Sequence, residues 1–252
     1  MGRQHPGLQR RNAAIVKPHI FKLSNFRPTL KQNPYLIFFF NLLILIYKVI
    51  KFSSEREKAM NEKIKILSFA GSLRKGSYNK SLQRAAVELC PENASIEIFD
   101  LEGIPPFNQD LELQPPAKVK DFKTKIRAAD ALLIVTPEYN YSMPGVLKNA
   151  IDWASRPYED NAFNRKPVAI MGASVGMTGT ARAQYHLRQT CVFLNVYPLN
   201  QPEVMVPSVH EKVDKSGRLT DEKSRQKIKE LLEALIAWTA QLKIQKPVEA
   251  TI

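Results

Sequence analysis

At 252 residues, 44% hydrophobic and 24% charged, the chain has an ordinary globular composition, which sets aside disordered and collagen-like classes. Its formal charge of +13 is uneven: residues 1–59 hold eleven Lys/Arg against two Asp/Glu (+9), and residues 60–252 hold 26 against 22 (+4). The basicity belongs mainly to the N-terminal segment, which argues against a nucleic-acid-binding domain.

The first sixty residues differ in kind from the rest. The block "NPYLIFFFNLLILIYKVIKF" (33–52) has an uncharged core from Tyr35 to Tyr47, thirteen residues interrupted by Asn41. That is shorter than the roughly 20 residues a helix needs to cross a bilayer, although Lys48 and Lys51 can snorkel and lengthen it. Three readings stay open: a short membrane anchor, an atypical export signal, or a stretch outside the working protein. The third is adopted as the expectation, because Met60 stands just ahead of a clean domain start, "MNEKIKILSFAGS". The expected organisation is therefore an extension over 1–59, a domain over 60–245 and a tail over 246–252. A cytoplasmic location goes with it, membrane contact arising only if residues 33–52 act as an anchor.

From residue 63 the pattern alternates. "KIKILSFA" (63–70) reads as a strand, followed by a Gly/Ser loop and a helix stripe at Leu82, Ala85, Ala86 and Leu89. "ASIEIFD" (94–100) is a second strand, with Ile96 and Ile98 alternating against Glu97. A proline-punctuated loop and the helix "AKVKDFKTKIRAA" come next. "DALLIVTPEYN" (130–140) reads as a strand buried on both faces. After a turn over 140–144, Val146, Leu147, Ala150, Ile151 and Ala154 mark a helix. "KPVAIMGAS" (166–174) is the fourth strand, "TARAQYHLRQTCVFL" a helix, and "VYPLNQPEVMVP" a weaker edge strand because of its prolines. Ile228, Leu231, Leu232, Leu235, Ile236 and Leu242 form a last amphipathic helix. Cys90 and Cys191 fall in apolar stretches and read as buried small hydrophobes, with no metal-ligand spacing and no disulfide framework.

Such alternation implies an α/β fold, a doubly wound five-stranded parallel sheet with helices on both faces. The element count suits the flavodoxin-like order 2-1-3-4-5, in which ligands bind beyond the carboxyl ends of strands 1, 3 and 4. The three most unusual loops, 71–79, 137–145 and 172–180, fall there.

The first of them, "GSLRKGSYN", nearly matches a P-loop, but Ser77 and Tyr78 stand where Lys and Ser/Thr belong. No dinucleotide fingerprint is present either. Backbone N–H groups, the hydroxyls of Ser72 and Ser77, the Arg74 guanidinium and the Asn79 amide at a helix mouth suit one terminal phosphate. The plainer alternative is a tight loop capped by Ser77 or Asn79. In "PEYNYSMPG", Pro137, Glu138, Tyr139, Asn140 and Tyr141 offer aromatics and amides for a flat, polar-edged ring, or else only a helix start with surface tyrosines. "GASVGMTGT" lets a planar ligand approach backbone, with Ser174 and Gly176 as donors, or is merely a flexible connection. Of four histidines, His5 and His19 lie in the extension, His210 in a late loop, and His186 reads as a helix-surface or interface residue. A phosphate cradle and an aromatic platform without acid–base machinery suggest that a cofactor carries the chemistry.

"GSLRKGSYNKSL", "IPPFNQDLE", "VTPEYNYSMPGVLKNAIDW" and "GTARAQYHLRQ" together resemble the NADPH-dependent FMN reductase family, in its quinone, chromate and azo-dye reductase branch. The resemblance covers about 63–242 and none of 1–59. It implies FMN as cofactor, with Ser72, Arg74, Ser77 and Asn79 at its phosphate. It places Glu138, Tyr139, Asn140 and Tyr141 at the isoalloxazine and ribityl chain, and Ser174 and Gly176 at the pyrimidine side, although Gly172-Ala173-Ser174 stands where many relatives are richer in hydroxyls. The implied reaction is ping-pong hydride transfer from NAD(P)H to flavin N5, then to a quinone or similar acceptor (chromate, an azo compound, free flavin). No acid–base residue is implied; Tyr141 and Arg182 are candidates for shaping the open face. Relatives form dimers or tetramers, which implies a homo-oligomer with Arg182, Tyr185 and Glu203 as interface groups. The rival reading is a flavodoxin-like FMN-binding electron carrier without NAD(P)H turnover.

Overall fold

The computed structural model describes residues 34–244, with the side chains of residues 52, 55–61 and 244 outside the description; His5, His19 and the tail 246–252 also lie outside it. Two compact units divide the chain, residues 1–53 and residues 54–252. In the first, helix α1 begins at Pro34 and, as one element of 28 residues, continues to Asn61. Its stretch Pro34–Lys51 has a mean hydropathy of 1.7 with none of it buried, long and apolar enough to cross a membrane by length and composition.

The second unit alternates as its periodicity predicts. Strands β1 (Ile64–Ala70), β2 (Ala94–Phe99), β3 (Ala131–Val135) and β4 (Pro167–Ala173) alternate with helices α2 (Tyr78–Glu88), α3 (Ala117–Ala128), α4 (Gly145–Ala154) and α5 (Ala181–Leu194). Two short strands, β5 (Tyr197–Pro198) and β6 (Val204–Val206), precede helix α6 (Glu222–Ile244). All pairings are parallel, in the order β2-β1-β3-β4-β5, with β6 also on β4. The flavodoxin-like order is therefore present, with one refinement at the last strand. β5 pairs with Pro167 and Val168, β6 with Met171 to Ala173, and the intervening loop carries a cis Gln201–Pro202 bond. A proline has no N–H for the ladder, so the prolines split this edge strand rather than merely weakening it.

β3 and β4 are buried at every position, so both faces of the sheet are covered. One core packs α2 and α6, through Leu82, Ala85, Ala86, Leu232 and Leu235, against one face. The other packs α3, α4 and α5, through Phe122, Ile126, Leu147, Ile151 and Leu187. Phe122 lies centrally, stacked on Phe99 at 4.8 Å and edge-on to Phe69 at 5.1 Å. Two expectations need correction. Ile98 does not alternate into the core but is 44% exposed, because β2 is the outer strand and α2, the helix on that face, leaves the end of it uncovered. Cys191 is buried, but Cys90, just past the end of α2, is only half-buried.

Candidate functional site

The loops that follow β1, β3 and β4 emerge together at the carboxyl edge of the sheet, and hydrogen bonds hold them there. The Gly71 N–H donates to Val135 O (2.8 Å) and the Thr136 N–H to Met171 O (2.9 Å). β3 then ends, which leaves Ala173 of β4 without a strand neighbour on that side. Asn79 takes the vacant place: its Nδ2 donates to Ala173 O and its Oδ1 accepts from the Ala173 N–H, both at 2.9 Å. A side chain from the first turn of α2 thus continues the ladder beyond the end of β3 to β4.

Ser77 is the N-cap of α2, accepting from the Lys80 N–H at 3.5 Å, and its own N–H donates to Arg74 O at 3.2 Å. Ser72 and Ser77 are buried; Arg74 is exposed, its guanidinium 5.3 Å from the Tyr78 ring centre. The cap alternative and the phosphate reading therefore coexist, since a capped helix start still presents N–H groups without intrahelical partners. Asn79 sits at the second helical position, and its side-chain amide is committed to Ala173. What it retains for a ligand is its backbone N–H.

In the second loop, Tyr139 and Ser142 exchange two backbone hydrogen bonds of 2.9 Å around Asn140 (φ 50°) and Tyr141 (φ 63°). Two consecutive left-handed residues make a type I′ turn, a conformation that costs a tyrosine of order 1 kcal/mol or more and needs external support. Helix α5 supplies that support. Its own N-cap residue, Thr180, makes no capping bond. Instead the Glu138 carboxylate accepts from the Arg182 N–H (3.0 Å), the Ala183 N–H (3.2 Å) and Arg182 Nη1 (2.6 Å). The Arg182 guanidinium lies 3.9 Å from the Tyr141 ring centre, and His186 Nδ1 is 2.9 Å from Ser142 Oγ. Glu138 thus caps α5 with a side chain only 9% exposed, while Tyr139 and Tyr141 are 53% and 65% exposed.

The third loop is tight. A Cβ on Gly172 would fall 2.1 Å from Thr180 Oγ1 and 2.2 Å from Thr136 O, so only glycine lets β4 pass beneath both loops. Gly179 (φ 60°) packs against the Met205 backbone. The Gly176 N–H donates to Ser174 Oγ (3.1 Å), so of this expected pair Ser174 keeps a hydroxyl hydrogen to offer and Gly176 spends its donor inside the loop. Val175 and Met177 project outward. Tyr185 is exposed on α5 and Glu203 is half-buried beside β6.

Pattern reading missed one brace. The long loop after β2 is tied to α4 by Asn149, which donates to Pro105 O (2.9 Å) and accepts from the Phe107 N–H (2.7 Å). Trp153 Nε1 donates to the same Pro105 O (2.8 Å), and its ring meets Phe107 edge-on. The motifs "IPPF" and "NAIDW" form one structural unit, and only the aromatic and amide content of two distant proline-flanked segments hinted at it.

The comparisons with known proteins agree with this architecture. The profile of the NADPH-dependent FMN reductase family matches residues 64–211. An NAD(P)H-dependent FMN reductase of Pseudomonas aeruginosa is 56% identical over 185 residues, covering 73% of this chain and all of that protein. A 2-hydroxy-1,4-benzoquinone reductase of a Burkholderia species is 44% identical, covering 69% of this chain and 96% of that protein. Among solved structures, the flavoenzyme NAD(P)H:(acceptor) oxidoreductase FerB of Paracoccus denitrificans superposes with a TM-score of 0.65 at 34% identity, over 71% of this chain and 98% of that one. The chain belongs to the NADPH-dependent FMN reductase family.

Proposed function

We propose that the three carboxyl-edge loops hold FMN and that the chain passes reducing equivalents from NAD(P)H to a quinone. The chain is an FMN-dependent oxidoreductase that uses NAD(P)H as co-substrate, and family membership favours this over an electron carrier. The observation that carries the site is the convergence of the three loops around Asn79, Gly172 and Glu138. The donor set suits the cofactor. Ser72, Arg74, Ser77 and the first N–H groups of α2 gather donors for one phosphate. Pro137, Tyr139, Asn140 and Tyr141 form a raised rim for a flat ring, with Ser174 opposite and Gly176 shaping the backbone there. Glu138 acts at this rim through α5 rather than by touching the ring. When bound, FMN supplies the redox chemistry that the side chains here do not. The chain's own task is to fix the ring and leave one face open beside Tyr141 and Arg182, where co-substrate and acceptor bind in turn.

Two further readings belong to the proposal. A homo-oligomer is supported by the outward face of α5, where Tyr185, Val192 and Phe193 are exposed and neither Lys nor acid intervenes. Residues 60–245 form the working domain, acting in the cytoplasm, with 1–59 as an extension that adds nothing to the chemistry. Titrating the purified chain with FMN and following NAD(P)H oxidation with a benzoquinone tests the main claim. Stoichiometric FMN binding with quinone-dependent turnover supports it; flavin binding without turnover would favour the carrier.

A further inference from the structure

Eight of the nine arginines with described side chains donate to a carboxylate, carbonyl or tyrosine hydroxyl oxygen of the chain. Among the described residues Arg74 is the arginine whose guanidinium donates to none and pairs with no acid. It is held all the same. Its backbone C=O accepts from the Ser77 N–H at 3.2 Å, which closes a turn through Lys75 and Gly76 and doubles the chain back at the start of α2. The guanidinium lies across that turn: a Cβ on Gly76 would stand 3.4 Å from Arg74 Nη1. There it meets the Tyr78 ring, 5.3 Å from the ring centre and within the range of a cation–π contact. Tyr78 is the first residue of α2, half-buried, with its body packed on the core that α2 and α6 share. The fold therefore fixes the ring, and the ring fixes the arginine.

We propose that Tyr78 is a positioning residue for the cofactor phosphate, holding the Arg74 guanidinium over the turn before the flavin arrives. The inference rests on the reading of the turn after β1 as the phosphate end of the FMN site, and it deepens that reading. Contact with a ring face takes none of the N–H donors of a guanidinium, so the whole planar fork stays available to phosphate oxygens. A carboxylate partner would hold the arginine as well, but it would cancel the charge the phosphate needs. An aromatic ring holds the side chain and leaves the charge in place. Without the ring, an exposed arginine would give up its rotamer freedom on binding, and that loss would be subtracted from the affinity. Ser72 and Ser77, both buried, are fixed by the fold, so Arg74 is the one side chain of the phosphate set that needs an outside brace.

The test strips flavin from the full chain and titrates it with FMN and with riboflavin, which lacks the phosphate, following flavin fluorescence. The parent is compared with Tyr78→Leu, Tyr78→Phe, Arg74→Gln and the double variant Arg74→Gln/Tyr78→Leu. The contact is exposed, so its loss in Tyr78→Leu should weaken FMN binding roughly two- to fivefold and leave the riboflavin constant at the parent's value. Tyr78→Phe keeps the ring and matches the parent for both flavins. Arg74→Gln loses a charge-assisted bond and weakens FMN binding roughly ten- to hundredfold. The double variant binds FMN no more weakly than Arg74→Gln, because the ring then has nothing to hold; a tyrosine that merely shaped the turn would add its own loss there. An FMN constant in Tyr78→Leu equal to the parent's overturns the inference. So does a loss shared equally by FMN and riboflavin, or a double variant weaker than Arg74→Gln. If Tyr78→Leu fails to fold, Tyr78→Met decides by the same two constants. A parent that binds both flavins equally fails the phosphate reading, and one that binds neither fails the functional reading; each overturns the inference with it.

Discussion

Asn79→Leu separates a structural amide from a ligand-binding one. The leucine matches asparagine in branching and fits a site where Asn79 is 3% exposed. It removes both 2.9 Å bonds and leaves the N–H and C=O of Ala173, itself 2% exposed, facing an apolar side chain. Two buried backbone groups without partners cost about 1–3 kcal/mol each, so the variant should lose about 2–6 kcal/mol. For a unit of this size that is a fall of about 4–24 °C in Tm. Urea unfolding of the full chain without added FMN, read by far-UV circular dichroism, measures the loss with the cofactor out of the comparison. FMN affinity should fall as well, because the turn that carries Ser72, Arg74 and Ser77 is no longer pinned to β4. A stability change under about 0.5 kcal/mol, the range of an ordinary surface substitution, would refute the argument that this amide completes the sheet edge.

Three more outcomes follow from the same geometry. Gly172→Ala forces a Cβ against Thr136 O, a backbone atom that cannot rotate away, and should destabilise by about 3 kcal/mol or more; Gly145→Ala, in open space at the start of α4, is the control and should be near neutral by the same melt. Burial pushes the Cys191 thiol up to about 11 and raises Cys90 less far, so a disulfide reagent at pH 8 should leave Cys191 unlabelled in the native chain and label it once urea unfolds the protein. The hydrogen bond from Lys123, with Arg127 adding to it, holds the Asp160 carboxyl below its ordinary value of 3.8. Its contribution to stability is thus present above that value and lost as pH falls through the lower folded value; Asp160→Asn should lose stability at pH 7 and show a shallower acid decline than the parent in pH-dependent melts.

Much of the fold is legible because its signals are local. The run "ALLIV" is buried at every position in β3, and the stripe Leu147, Ala150, Ile151, Ala154 is the buried face of α4, as their periodicities require. The switch-point argument works for the same reason, since strand order alone brings the three loops to one edge. The individual roles were not legible because they depend on partners far along the chain. Asn79 and Ala173 are 94 residues apart, and Glu138 and Arg182 are 44 apart. Nothing in "PEYNY" announces that its glutamate caps another helix, and Thr180, a good capping residue by type, gives no sign that it leaves the position open. The broken last strand shows the limit differently. Its prolines were visible, but whether they weaken a strand or divide it depends on which ladder positions on β4 they meet.

The central claim is that this chain is an FMN-dependent NAD(P)H oxidoreductase whose cofactor sits at the carboxyl edge of β1, β3 and β4. Its most direct test is the visible spectrum of the purified, FMN-equilibrated full chain before and after anaerobic addition of NADPH, followed by a benzoquinone. The account predicts one bound flavin per chain, bleached by NADPH and restored by the quinone. A chain that retains no flavin, or retains it without bleaching, contradicts it.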